Sequence, residues 1–155
     1  DVLGSRGLGD VYKRQVYAYS ERINKIEAEA IQAFAHSKGK KTLSIGVKQS
    51  FTDLYVNVDP FTLLAYIKNA DYVITDTFHG TVFSIKYQIP FATLIRPSNI
   101  EKLSELLEKF GLSSRTVNDA SNIKDVCTEE IDKLNILKLL KTYRESAITY
   151  LKDNL

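Results

Sequence analysis

Asp76-Thr77-Phe78-His79-Gly80 interrupts an apolar run, Tyr72–Thr75, and a second apolar pattern of different period begins at once. The chain has two histidines, and one of them stands at this junction. With an unperturbed pKa of about 6.5, histidine is the side chain best suited to give or take a proton at neutral pH. If the run before the junction is a strand and the residues from Gly80 on form a helix, the first turn of that helix offers unpaired N–H groups and the positive end of its dipole. That is a natural seat for a phosphate or carboxylate, and Gly80 lets such a ligand come close to the backbone. The chemistry implied is proton transfer beside a bound anion. The same residues also have a purely structural reading, in which Asp76 or Thr77 caps the helix, Phe78 belongs to the core and His79 bonds a neighbouring carbonyl. His36, near the end of an amphipathic stretch and followed by SKGK, reads as a solvated cation at a helix C-terminus.

The elements that would position the junction show in the alternation of two periods. Residues 16–19 are β-prone; Ser20 suits an N-cap, and ERINKIEAEAIQAFAHSKG puts Ile23, Ile26, Ala30 and Phe34 on one helical face before Gly39 ends it. Residues 42–47 (TLSIGV) read as the next strand and 48–58 as a loop of mixed polarity. Asp59-Pro60 is an N-cap followed by proline at the first helical position, so FTLLAYIKNA should be a helix. After the strand Tyr72–Thr75, residues 80–87 are helical by period and Pro90 closes them. Residues 91–95 make a fourth strand. Ser98-Asn99-Ile100-Glu101 has the form of a capping box ahead of Ile100, Leu103, Leu106, Leu107 and Phe110 at spacings of three and four, with Gly111 as the stop. A last helix places Leu137, Leu140, Tyr143, Ala147, Tyr150 and Leu151 along one side. Strands alternating with such helices imply β-α-β units and an α/β, doubly wound parallel sheet. Ligands of such sheets sit outside the carboxyl ends of the strands, which is where the His79 loop falls.

Composition limits the functions open to such a domain. An apolar share of 44% and a charged share of 26% belong to a globular chain with a real core. The net charge of +2 is spread without a basic field, which disfavours nucleic acid. The single cysteine, Cys127, cannot form an internal disulfide, and no Cys/His group has metal-site spacing, so no metal is expected. No run approaches a membrane span and no signal peptide is visible, which points to the cytoplasm, with a peripheral place at the inner face of the membrane as the alternative. The chain contains no methionine, so a piece of a longer protein is expected. Residues 1–15 show neither period, GLGDVYKRQ resembles a translated adaptor remnant, and Gly4, Gly7 and Gly9 have the wrong order for a dinucleotide loop. We read 1–15 as a non-native or disordered tail and 16–155 as one α/β domain.

NADYVITDTFHGTVFSIKYQIPF resembles the signature of the polysaccharide pyruvyl transferases, a strand-turn-helix of the form A-D-Y-V-I-T-D-(S/R)-(F/L)-H-(G/A) followed by FS and PF. KLSELLEKFGLSSR and YRESAITYLKDNL resemble two downstream segments of the same family. The resemblance implies a Rossmann-like, donor-binding C-terminal lobe of a two-lobed protein of glycosyltransferase-B-like architecture. Such enzymes transfer the pyruvyl group of phosphoenolpyruvate to two hydroxyls of a sugar, forming a ketal. By the same resemblance His79 is the general acid of the donor site, with Thr77, Phe78, Gly80 and Thr81 around the donor. Thr77 stands where some branches of the family place an arginine, and Lys102 where an arginine precedes the LL helix. Arg96 and Lys102 are the candidate replacements, and both also read as solvated charges. Arg115 matches a family arginine that either pairs with a carboxylate or faces the cleft. No cofactor is implied beyond phosphoenolpyruvate as donor substrate. The implied partners are a glycan or lipid-linked sugar acceptor and the other lobe. Two alternatives remain: the nucleotide-sugar lobe of a glycosyltransferase, and a catalytically inactive fragment with the same fold.

Overall fold

The computed structural model describes residues 15–19 and 22–154, with side chains from residue 22 onward. Six parallel strands form one sheet: β1 (Gln15–Tyr19), β2 (Lys41–Ile45), β3 (Leu54–Val56), β4 (Tyr72–Thr75), β5 (Phe91–Leu94) and β6 (Thr116–Val117). Their spatial order is β3-β2-β1-β4-β5-β6. The chain builds outward from β1 through β2 to β3, then crosses back to β4 on the other side of β1 and builds outward again. This is the doubly wound order, with its switch point between β1 and β4, where the register pairs Ala18 with Ile74 and Tyr19 with Thr75.

Helices cover both faces. Alternation along the strands divides the apolar residues: Val73 and Phe91 join one core, and Ile74 and Ala92 the other. The first core is closed by α2 (Pro60–Asn69), α3 (Phe78–Tyr87), α4 (Ile100–Lys109) and α6 (Lys133–Asn154), through residues such as Ile67, Ile85, Leu107 and Ile136. The second is closed by α1 (Lys25–Ser37) and α5 (Ile123–Thr128), with Ile31, Phe34 and Cys127. Burial on both sides explains why β4 and β5 read as short apolar runs without polar alternation.

The expected N-cap at Asp59 is present, its carboxylate accepting from the Thr62 N–H at 2.9 Å, with Pro60 at the first helical position. The stops at Gly39 and Gly111 are left-handed, with φ of 63° and 66°, which glycine adopts without strain. Other details differ from the sequence reading. Ser20 lies outside the described residues, and α1 is capped instead by Asn24, in a capping box with Glu27. The stretch 48–58 is not all loop, because it contains β3. Ser98 does not cap α4. Asn99 takes that place without a side-chain cap bond, its amide being engaged with Arg96 and Asp76. The helix after the junction starts at Phe78, two residues before Gly80. Most of the apolar stripe expected on the last helix is exposed, Leu137 at 48% and Tyr150 at 66%, and the helix is anchored instead by Ile136, a buried residue outside that stripe.

Candidate functional site

The switch point brings three segments together: the start of α1 after β1, the β4–α3 turn, and the β5–α4 turn. Buried hydroxyls fix the middle one. Thr77, the N-cap of α3, accepts from the Gly80 N–H at 3.0 Å and lies 2.9 Å from the Thr75 hydroxyl, while its own N–H donates to Thr75 Oγ1. Thr81, fully buried, donates its hydroxyl to the Thr77 carbonyl and meets Thr93 of β5 at 3.2 Å. Ser84 donates to the Gly80 carbonyl at 2.7 Å. The amino end of α3 is thereby pinned to the ends of β4 and β5. Its first two N–H groups, of Phe78 and His79, have no partner among the described residues.

Beside this turn lies a cluster of charges that the sequence reading did not assemble. Arg96 donates from Nε to Asp76 at 3.1 Å, from Nη1 and Nη2 to the two Glu27 carboxylate oxygens at 2.5 and 2.9 Å, and from Nη2 to the Arg22 carbonyl at 2.8 Å. All three side chains are largely removed from water, Arg96 at 17% exposure. Bonding to Glu27, and then to Asp76, raises the Arg96 guanidinium above its ordinary pKa against the opposing effect of burial. Asn99 ties the cluster to the backbone: its side-chain oxygen accepts from the Arg96 N–H at 2.8 Å and its amide donates to the Asp76 carbonyl at 2.6 Å. Arg22, Asp76, Thr77, Arg96, Ser98 and Asn99 line a small open hollow of about 170 Å³. Two carboxylates share the one Arg96 guanidinium, and the exposed Arg22 adds a second cation to the lining of the hollow.

Of the site residues expected from the sequence, Thr77 and Arg96 line this hollow and Gly80 and Thr81 are buried beneath it. Phe78 and His79 are exposed on the first turn of α3. The two rings stand edge-on with centroids 6.2 Å apart, and the His79 and Phe83 centroids are also 6.2 Å apart. Phe78 is therefore not core, and His79 bonds no carbonyl among the described residues. Lys102 is exposed in the first turn of α4, forms no ion pair among the described residues, and does not line the hollow. Arg96 is present but occupied. Arg115 neither faces the cleft nor pairs directly with a carboxylate. It is buried with its guanidinium donating to the Val126 and Glu129 carbonyls at the C-terminal end of α5, and burial lowers its pKa. Glu27 and Asn99 escaped the sequence reading. The available signal for Glu27 was the spacing Asn24-x-x-Glu27, a capping box; its second role, as a partner of Arg96 69 positions away, left no local trace.

Among the described residues no group of histidine, cysteine and carboxylate side chains could hold a metal ion, and no helix is long and apolar enough to cross a membrane. A family model described as polysaccharide pyruvyl transferase matches residues 6–99, more than half of the chain. The match contains the whole β4–α3 junction, begins inside the stretch 1–15 and ends at Asn99, ahead of the two downstream segments. No curated protein matches. Among solved structures, the glycosyltransferase SnogD from Streptomyces nogalater is similar at a TM-score of 0.41 and 13% identity, over 84% of this chain and 43% of that one.

Proposed function

The chain belongs to the polysaccharide pyruvyl transferase family, and from that premise we propose that it forms the donor-binding lobe of such an enzyme, acting on a cell-surface polysaccharide or its precursor. The donor in this reading is phosphoenolpyruvate. A proton passes to its methylene carbon, a sugar hydroxyl adds to the adjacent carbon, and the bond from that carbon to the phosphate oxygen breaks, releasing inorganic phosphate. Addition of a second hydroxyl at the same carbon closes the ketal. The observation that carries the reading is the placement of His79: exposed, next to two unpartnered N–H groups at the start of α3, and at the carboxyl edge beside the switch point. His79 is the proton donor in this scheme, and the N–H groups of Phe78 and His79 receive the phosphate. In this reading the phosphate sits on the outer, His79 side of Thr77, because the Arg96 guanidinium in the hollow is already taken up by Glu27 and Asp76. Arg96 and Lys102 supply no direct grip in this arrangement: Arg96 orders the loops, and Lys102 contributes charge at a distance. The other lobe supplies the acceptor site, and the cytoplasm is the compartment where phosphoenolpyruvate is to be met.

An amide-shift titration tests the donor. Phosphoenolpyruvate should move residues 77–83, while a nucleotide sugar at the same concentration should not. Movement confined to another region, or stronger thermal protection by the nucleotide sugar, would transfer the site to the glycosyltransferase reading.

A further inference from the structure

A groove of about 470 Å³ runs between α3, α4 and α6. Ile85, Leu106, Phe110 and Leu140 are among its apolar walls, and three cations stand at its rim: Lys86 on α3, and Lys141 and Arg144 on α6. All three are exposed, and none has an ion-pair partner among the described residues; the Lys86 ammonium lies over the Tyr87 ring at 5.5 Å. The pattern continues along α6 beyond the groove. At 3.6 residues per turn, Leu137, Lys141, Arg144, Ile148 and Leu151 share one side of the helix, with no acidic residue among them. Leu137, Ile148 and Leu151 are 48%, 42% and 52% exposed. An exposed apolar strip interspersed with cations of one sign is an unusual surface for water.

Its chemistry distinguishes the kinds of partner. Three exposed cations of one sign, none with an ion-pair partner among the described residues, complement an anionic surface better than one of mixed charge. At a bilayer surface the same side chains lay their stems along the apolar face and keep their heads among headgroup phosphates. We propose that α6 and this groove dock the chain on the surface of an anionic bilayer. The apolar stripe enters the headgroup boundary, and Lys86, Lys141 and Arg144 meet lipid phosphates. The proposal is independent of the donor chemistry above.

The test is co-sedimentation of the 155-residue chain with vesicles of phosphatidylcholine alone and of phosphatidylcholine with phosphatidylglycerol. Binding should need the anionic lipid, weaken with salt, and fall on the order of tenfold or more in Lys141→Gln/Arg144→Gln. Ile148→Asn should weaken it as well while leaving the melting transition in place, since the side chain is exposed. No binding to either vesicle would overturn the proposal, as would binding indifferent to the charge variants. So would a dimer in sedimentation velocity that Leu137→Glu dissociates, which would give the groove to a second copy, or equal affinity for soluble glycerol phosphate.

Discussion

Four of the five N–H donors of Arg96 are spent on Glu27, Asp76 and the Arg22 carbonyl, which makes the residue a brace between the α1, β4 and β5 segments. Replacing it leaves two carboxylates with little water and without the guanidinium that both of them bond. Arg96→Met should therefore cost about 3 kcal/mol, toward the lower end for a broken buried pair because the cluster is partly wet, read from the shift in a denaturant midpoint. Arg96→Lys should recover only part of that, since one ammonium cannot satisfy both carboxyl groups in the guanidinium's planar geometry. His79 should behave in the opposite way. Its ring is exposed and holds no hydrogen bond among the described residues, so His79→Gln should leave stability almost unchanged. In a full-length enzyme containing this lobe, the same change should lower turnover on the order of a hundredfold or more if the imidazole is the general acid. The histidine was legible in the sequence because of its place at a change of period. The brace was not, because Glu27, Asp76 and Arg96 meet only through tertiary structure, and a sequence shows each merely as a charge near the end of an element.

Short-range chemistry was the most legible at the scale of single elements. Asp59 accepts from the Thr62 N–H and hydroxyl, and these bonds, the backbone one foremost, lower its pKa from 3.8. A carboxyl depressed in the folded state adds stability that is present above about pH 4 and is lost as the pH falls through the folded value. Acidification should loosen the first turn of α2 in amide exchange, and Asp59→Asn, which keeps an N-cap oxygen without a titrating group, should remove that pH dependence. Ser98 shows the limit of such signals: its spacing to Glu101 fits a capping box, but Asn99 occupies the cap and serves the brace instead. The elements missed were the shortest, β3 with three residues, β6 with two and α5 with six, too brief to establish a period. In α6 the helix was legible but its depth of burial was not, because its apolar residues spread over more than half of its circumference and no single face marks the buried side. Ile136→Ala should cost about 2–4 kcal/mol in the unfolding midpoint. Removing residues 148–154, all exposed, should hardly move it.

For the molecule as a whole, the alternation of strands and helices was enough to predict a doubly wound parallel sheet, and the strand order places the junction beside its switch point. What the alternation does not contain is the order itself, since β2 and β4 could each have been placed on either side of β1 with the same sequence periods. If the lobe needs its counterpart to hold the acceptor, the isolated chain should fold and bind phosphoenolpyruvate but release no phosphate in the presence of glycans, because much of the rate comes from holding both reactants together. Steady turnover by this chain alone, measured as phosphate release with ketal formation, would overturn the two-lobed reading. The short outer strands have a consequence of their own. Sheet margins are templates on which another chain can add, and long flat margins seed fibrils. Here one margin is three residues long and the other two. Neither offers a docking strand the length of template that runaway stacking needs, so a solution of the folded chain should resist fibril growth even when concentrated.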